Sequence, residues 1–134
     1  MIAFLIELDN RAGTVAEVTE AIADRGINIT GGAGVGGGLK GYFAVTTNDE
    51  AGTRRVLIGA SYKFREIDVV PLTLADTPGA FARACRALAD AKINIDAAFP
   101  MASGGERNTI AFATDDPVRT RSILSQKTLA SSSR

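Results

Sequence analysis

The sequence predicts an α+β protein made of two ferredoxin-like βαββαβ domains in tandem, each with an antiparallel four-stranded sheet and helices on one face. Three observations support this prediction. The two halves of the 134-residue chain repeat each other at an offset of 66 residues. Within each half, the apolar spacing changes between the period of a strand and that of a helix. Glycine and polar clusters separate these segments, as turns do.

The internal repeat is the most informative feature of the sequence. Leu8–Ile29 reads LDNRAGTVAEVTEAIADRGINI, and Leu74–Ile95 reads LADTPGAFARACRALADAKINI. Further along, the offset becomes 67 residues, and YFAVTTND from Tyr42 resembles TIAFATDD from Thr109. A change of one residue fits a loop of altered length. Because the agreement runs in order through most of both halves, it indicates duplication rather than chance.

The first repeat begins with a strand and a helix. Residues 2–8 form a near-continuous apolar run, which is typical of a strand buried on both faces or nearly so. Residues 13–25 then switch to helical spacing, with Val15, Val18 and Ile22 on one face that must pack on a sheet. The remaining pattern predicts strands at 27–33, 41–47 and 62–67 and a second helix near 50–60.

The second repeat follows the same order. One face of its first helix carries Phe81, Ala84, Cys85 and Leu88, and Pro78 has the fixed φ that helps a helix to begin. On that face, Cys85 is interpreted as a small core residue in preference to a reactive thiol. The pattern predicts strands at 69–74, 93–101 and 108–114 and a second helix near 117–126.

The end of the chain sets the predicted domain boundaries. After the last helix only residues 127–130 could form a closing strand, so the fourth strand of the second domain is short or missing. We therefore predict one domain at 1–67, a second at 68–130 and a polar tail at 131–134. Because an open sheet edge can pair with another chain, we expect a second chain, or a strand of the first domain, to cover it.

Composition argues against several functional classes. Lysine plus arginine and aspartate plus glutamate each number 15, and the aromatic residues are not interleaved with basic ones as in nucleic-acid-binding proteins. The chain has one cysteine and no histidine, which argues against a metal site. The apolar N-terminal run is too short for a signal peptide or a membrane span. We expect a cytoplasmic protein without a cofactor.

The glycine-rich segment Gly31–Gly38 contains a G-x-G-x-x-G match at Gly32, Gly34 and Gly37. That fingerprint binds dinucleotides only where a strand precedes it and a helix follows. Here a strand follows, so the segment is interpreted as a flexible hairpin between the second and third strands.

Acidic pairs occupy two equivalent corners before predicted helices. These pairs are Asp49-Glu50 and Asp115-Asp116. Their repetition favours helix starts that interact well with the helix dipole over a catalytic pair of carboxylates. With no histidine and no G-x-S-x-G motif either, the sequence predicts a protein that is not an enzyme.

Two short motifs in each repeat resemble the signature of ACT domains. In the second repeat, Asp76-Thr-Pro-Gly79 precedes the amphipathic helix and Ile93-Asn-Ile95 follows it. The first repeat has Asn10-Arg-Ala-Gly13 and Ile27-Asn-Ile29 in the same places. The resemblance covers residues 1 to about 126. It implies a tandem pair of amino-acid-binding regulatory domains that acts allosterically, as a homodimer.

The resemblance also implies where a ligand binds. At each loop, the free N–H groups of the first helical turn can hold a carboxylate, and Asn10 or Asp76 can accept hydrogen bonds from an ammonium group. Asn28 and Asn94 each offer a donor and an acceptor. Asx side chains also stabilise turns and strand entrances, so a structural role stays open for each of them. The implied ligand-binding residues are Asn10, Arg11, Ala12, Gly13, Thr14, Val15, Asn28, Ile29, Asp76, Thr77, Pro78, Gly79, Ala80, Phe81, Asn94 and Ile95.

The first loop departs from the family pattern. Ala12 stands in place of the proline, and Arg11 is inserted into the loop, which puts equal affinity at the two sites in doubt. Arg11 could itself pair with a ligand carboxylate.

Three functions are compatible with these features. The resemblance implies a sensor that binds a free amino acid at ACT–ACT interfaces and regulates a partner such as an enzyme. The same fold could instead work without a ligand, as a dimerisation or protein-interaction module that regulates an enzyme in trans. A small acylphosphatase-like hydrolase would need an anion cradle, for which Arg11 and Asn10 are candidates.

Overall fold

The computed structural model of the protein describes residues 1–102 and 107–125. The closing strand expected at 127–130 lies outside the described residues. In chain order the elements are β1 Ile2–Asp9, α1 Thr14–Ala23, β2 Ile29–Gly37, β3 Lys40–Thr47, α2 Glu50–Gly59, β4 Lys63–Ala75, α3 Ala80–Asp90, β5 Ile95–Met101, β6 Arg107–Thr114 and α4 Pro117–Leu124.

The predicted pair of ferredoxin-like domains with open four-stranded sheets is wrong. The described strands form one closed antiparallel barrel in the order β1-β3-β2-β5-β6-β4. The physical reason lies in β4. The strands predicted separately at 62–67 and 69–74 are one continuous strand of 13 residues, KFREIDVVPLTLA, because no glycine and no turn sequence interrupts it. One strand therefore stands where two were expected.

The chain divides into two compact units. The first unit is Ile2–Ile67, and the second unit is Met1 with the chain from Asp68 onward. In the first unit β3 lies between β1 and β2, and its Phe43 pairs with Ile6 on one side and Gly34 on the other.

The core of the first unit lies between these strands and their helices. Helix α1 buries Val18 and Ile22 completely, as its spacing predicts. Val15, expected on the same face, is 47% exposed, and Thr14 is buried in its place. The buried stripe therefore follows a spacing of i, i+4 and i+8, which leaves Val15 free at the start of the helix.

In the second unit β6 lies between β4 and β5, and its Ile110 pairs with Leu72 and with Pro100. Leu88 of α3 is fully buried in the core of this unit. Cys85 is half-buried against the same core, and burial raises the pKa of its thiol. A raised thiol pKa means less of the reactive thiolate at neutral pH.

The two acidic corners are helix N-caps. The Asp49 side chain accepts a hydrogen bond from the backbone N–H of Gly52 at 2.9 Å, and the Asp116 side chain accepts one from that of Arg119 at 3.1 Å. Each satisfies a donor that the first turn of a helix leaves unpaired. These carboxylates therefore hold the starts of α2 and α4.

Candidate functional site

The loop between β1 and α1, Asn10–Gly13, is called the first loop. It ends at Gly13, whose φ of 96° places it in the left-handed region that glycine adopts without steric cost. No side chain caps this helix start. Within residues 1–102 and 107–125, the backbone N–H groups of Val15 and Ala16 have no acceptor. The first turn of α1 therefore has free donors.

The loop between β4 and α3, Asp76–Gly79, is called the second loop, and it has the same backbone form. Gly79 has a φ of 89°, and among the described residues no side chain caps the helix. The N–H groups of Phe81 and Ala82 likewise lack an acceptor in the part of the chain that the structure describes. The two loops share only their last residue, so this glycine is what the common conformation requires.

A cavity of about 190 Å³ lies beside the first loop, within the first unit. Its walls are the end of β1, the start of α1 and the β2–β3 hairpin. The residues that line it are Leu8, Asp9, Asn10, Thr14, Val15, Gly34, Val35, Gly36, Gly41, Tyr42 and Phe43. Its glycines leave space on the hairpin side, and Asn10, Thr14 and Val15 are among the residues predicted from the sequence.

Asn10 joins the first loop to the hairpin. Its side-chain Nδ2 donates to the carbonyl of Gly38 at 2.8 Å, and its backbone N–H donates to the carbonyl of Leu39 at 2.9 Å. A Cβ on Gly36 would lie only 2.7 Å from Asn10 Oδ1, so a side chain there would displace the Asn10 amide. The amide nitrogen of Asn10 therefore has the structural role, and the oxygen stays available to a ligand donor.

Charged residues around the first loop are paired with one another. Arg11 lies 3.7 Å from the carboxylate of Glu17, and Lys40 Nζ lies 2.7 Å from Asp9 Oδ1. The hydrogen bond from Lys40 lowers the pKa of the Asp9 carboxyl. All four groups are exposed, so each pair adds little to stability. Together they make the loop electrically balanced.

Asn28 and Asn94 lie away from the loops of their own units. The N–H of Asn28 donates to Asn48 Oδ1 at 2.9 Å, and that of Asn94 donates to Asp115 Oδ1 at 3.0 Å. Both therefore stand where β3 or β6 ends. In the first unit this end, at Thr47, is six residues along β3 from the cavity residue Gly41, which is roughly 20 Å at the rise of a strand. Asn28 and Asn10 of one unit therefore do not meet in one site.

The other predicted residues divide between surface and core. Ala80 is buried and Phe81 is 46% exposed, with its ring stacked on Phe112 at 5.8 Å. Ile29 and Ile95 pack against the cores of their units. The remaining predicted residues of the two loops are exposed; they are Arg11, Ala12, Gly13, Asp76, Thr77, Pro78 and Gly79.

A family model described as an ACT domain pair matches residues 8–132. The chain belongs to the ACT domain family. The resemblance stated from the sequence motifs is thereby confirmed. No curated protein matches this ACT domain pair.

Solved structures share the fold of this ACT domain pair. Protein BT0572 from Bacteroides thetaiotaomicron has a TM-score of 0.84 at 20% identity, over 95% of this chain and 88% of that one. The regulatory subunit of aspartate kinase from Thermus thermophilus, in a ligand-free form, has a TM-score of 0.65 at 19% identity, over 98% and 90%. The corresponding subunit from Thermus flavus has a TM-score of 0.56 at 22% identity, over 84% and 81%.

The described residues form neither a group of metal ligands nor a membrane-spanning helix. Among residues 1–102 and 107–125 of the ACT domain pair, no three histidine, cysteine, aspartate or glutamate side chains are grouped to hold a metal ion. No helix in the same ranges is long and apolar enough to cross a membrane.

Sequence reasoning missed the residues that the hairpin adds to the cavity. Val35 and Tyr42 are 70% and 50% exposed, and both line it. The sequence does contain a signal for these two residues. Large apolar side chains beside glycines on a hairpin do not pack in a core, and exposed apolar residues of this kind often line a binding surface.

The two loop glycines provide a test of the loop conformation. Gly13→Ala and Gly79→Ala are each expected to lower the free energy of unfolding by about 1–2 kcal/mol, because a side chain is strained at positive φ. A Cβ at Gly13 meets nothing within 4 Å, whereas one at Gly79 would lie 2.8 Å from Arg83 Nη1. Gly79→Ala should therefore cost slightly more.

Urea unfolding measures both effects. Gly37→Ala is the matched control, because a Cβ there meets nothing within 4 Å and Gly37 is not at positive φ. If the two loop variants unfolded at the same urea concentration as the control, the argument from backbone conformation would be wrong.

Proposed function

We propose that this ACT domain pair is a regulatory, non-catalytic sensor that binds a free amino acid in the cavity beside the first loop. The observation that supports the proposal is the combination of free helix-start donors with an apolar-walled cavity. The N–H of Val15 would hold the ligand carboxylate, favoured by the positive end of the helix dipole. Asp9 and Asn10 line the same cavity, and the Asp9 carboxylate and Asn10 Oδ1 would accept hydrogen bonds from the ammonium group.

Electrostatics support this arrangement. The pKa of Asp9 is lowered, chiefly by the hydrogen bond from Lys40, which donates to Oδ1. The second carboxylate oxygen can accept a hydrogen bond from the ammonium group of a ligand. The loop around it is electrically balanced by the Arg11 and Glu17 pair. A zwitterion, which needs both an anionic and a cationic partner within a few ångströms, suits such a site better than a singly charged ligand.

The size of the cavity limits the ligand. A volume of about 190 Å³ equals that of roughly six waters at ~30 Å³ each. This is room for a small or medium-sized amino acid but not for a dinucleotide. Because Val35, Tyr42 and Phe43 form much of the wall, an amino acid with an apolar side chain would fit best.

Ligand binding can regulate a partner protein when the binding equilibrium is coupled to a conformational equilibrium. A ligand that binds one state of the protein better than another shifts the equilibrium between them, and a bound partner enzyme can respond to that shift. Two of the similar solved structures are described as regulatory subunits of aspartate kinase, which is consistent with a regulatory role here. We propose that this chain, as a homodimer, regulates an enzyme in the same general way.

Calorimetry with each of the twenty L-amino acids tests the proposal. One amino acid, or a small apolar group of them, is expected to bind and to raise the free energy of unfolding by about 2.7 kcal/mol at a hundred times its dissociation constant. The D-enantiomers are the control. Flat titrations with all twenty amino acids would overturn the proposal. Sedimentation at micromolar protein concentration tests the dimer separately, and a dimer with flat titrations would favour the ligand-free interaction module.

A further inference from the structure

An open groove of about 310 Å³ lies between α4 and the second half of β4, within the second unit. Most of its lining is apolar, and we call it the α4–β4 groove. The residues that line it are Val70, Pro71, Leu72, Arg121, Leu124 and Ser125. Two of them, Val70 and Leu124, belong to the buried core of the unit. The groove therefore leads from the surface to the edge of that core.

In the first unit, a strand of the chain fills the equivalent position. Residues 63–67 of β4 lie alongside β1. Phe64 packs against the core of this unit, with its ring 6.0 Å from that of Phe4. Glu66, two residues further on, accepts a hydrogen bond from Nε of Arg54 on α2 at 2.8 Å. An aromatic residue and an acidic residue two positions later therefore close the first unit.

The internal repeat aligns the two positions. Residues of the first unit that surround Phe64 and Glu66 have counterparts in the lining of the α4–β4 groove. The aligned pairs are Phe4 with Val70, Leu5 with Pro71, Ile6 with Leu72, Arg54 with Arg121 and Leu57 with Leu124. Because Val70 is smaller than Phe4, the α4–β4 groove has more room for a large side chain.

The sequence after α4 does not repeat the residues that fill this position. At the offset of 67, Ser131 and Ser133 stand where the first repeat has Phe64 and Glu66. A serine has neither a large apolar side chain to bury nor a charge for an arginine. The residue types that close the first unit would therefore have to come from another molecule.

The backbone edge of β4 beside the groove is suited to a further strand. The N–H of Val69 donates to the carbonyl of Met1 at 2.8 Å, so the backbone groups of Val69 point away from β6. Alternate residues of a strand point the same way, which gives Pro71 and Thr73 this direction too. Proline is typical of such an edge, whereas Thr73 offers a donor and an acceptor. On this side, none of the described strands pairs with β4 beyond Val69.

Arg121 keeps a donor for an acidic residue. Its Nη2 donates to both carboxylate oxygens of Asp68, at 2.8 and 2.9 Å. Within residues 1–102 and 107–125, nothing accepts from its Nε, the atom through which the aligned Arg54 binds Glu66. A further carboxylate can therefore bind Arg121 as Glu66 binds Arg54.

We propose that the α4–β4 groove docks an extended segment of a partner protein, which adds a strand to the edge of β4. The segment places an aromatic side chain in the groove and an acidic side chain, two residues later, against Arg121. A second copy of this chain fits less well. Two copies paired through the same edge would each bring Val70, which is already buried in its own core. The inference goes beyond the proposed function, because it does not depend on amino-acid binding.

A peptide of residues 61–67, Ser-Tyr-Lys-Phe-Arg-Glu-Ile, acetylated and amidated, is the probe, and NMR of the isotope-labelled full chain follows its titration. The peptide is expected to bind and to shift the amide signals of Leu72, Thr73 and Leu124 most. Phe64→Ala in the peptide should weaken binding by about 10- to 100-fold, because an aromatic ring is no longer buried. Glu66→Gln should weaken it by about 2- to 5-fold, the range of an exposed ion pair.

Two tryptophan variants of the full chain locate the site. Ser125→Trp fills the groove and is expected to lower peptide affinity by about tenfold or more. Ser122→Trp is the matched control, because Ser122 is exposed on the same helix and does not line the groove. Circular dichroism verifies that both variants fold.

Three results would overturn the proposal. They are a wild type that binds no peptide, equal peptide affinity for Ser125→Trp and the wild type, and a dimer in sedimentation that Ser125→Trp alone converts to a monomer. The last result would assign the groove to a second copy. Peptide binding together with flat amino-acid titrations would leave this inference standing and overturn the proposed function, and the opposite pair of results would do the reverse.

Discussion

Phe112→Ala is expected to lower the free energy of unfolding by about 3–5 kcal/mol, the usual cost of removing a fully buried aromatic ring. Phe112 has no exposed surface and lies in the core of the second unit, where β6 pairs it with Val70 of β4. Its ring also stacks on Phe81 at 5.8 Å. The deletion therefore removes core contacts and leaves a cavity that neighbouring strands cannot close.

Denaturant unfolding followed by circular dichroism measures this loss. Val118→Ala on α4 is the control, because Val118 is 75% exposed and its truncation should change the free energy of unfolding by less than about 0.5 kcal/mol. Val45→Ala truncates the residue that the 67-residue offset aligns with Phe112, and it is fully buried as well. It should cost less than Phe112→Ala, because fewer buried atoms are lost. A loss below about 1 kcal/mol for Phe112→Ala would contradict the burial of this ring.

Gly34→Ile is expected to weaken amino-acid binding by about 5- to 150-fold while leaving the protein folded. The new side chain would enter the cavity beside the first loop, and overpacking of this kind costs roughly 1–3 kcal/mol when the ligand must share the space. The free protein tolerates the change, since a Cβ there meets Phe43 at 3.7 Å and the Tyr42 carbonyl at 4.0 Å, which are ordinary contacts. A β-branched residue also suits a strand.

Calorimetry with the amino acid identified from the panel measures the effect, and circular dichroism verifies the fold. Gly37→Ile is the matched control on the same strand, because a Cβ at Gly37 meets nothing within 4 Å and Gly37 does not line the cavity. If Gly34→Ile folds and binds as tightly as the wild type, the amino acid binds elsewhere and the cavity is not its site.

Much of the local structure could be predicted from the sequence. The helix starts at Asp49 and Asp116 follow from acidic residues at repeated corners, and both side chains cap their helices. The positive φ at Gly13 and Gly79 agrees with glycine before a helix. Each of these features depends on a few neighbouring residues, whose spacing and chemistry can be read directly from the chain.

The candidate site was predictable only in part. The loop motif pointed to Asn10, Thr14 and Val15, which line the cavity together. The hairpin residues that complete the wall are distant in sequence, and nothing in their own spacing says which loop they meet.

By itself, the sequence indicated the duplication, most of the helices and strands within each repeat and the resemblance to the ACT domain family that the family model confirms. Only the tertiary structure decided that residues 62–67 and 69–74 form one strand and that the strands close into a barrel. It also decided that Thr14, rather than Val15, is buried on α1. The physical reason is the range of the interactions. Periodicity reports which face of an element is apolar, whereas strand order, cavities and unpaired charges arise from contacts between residues far apart in the chain.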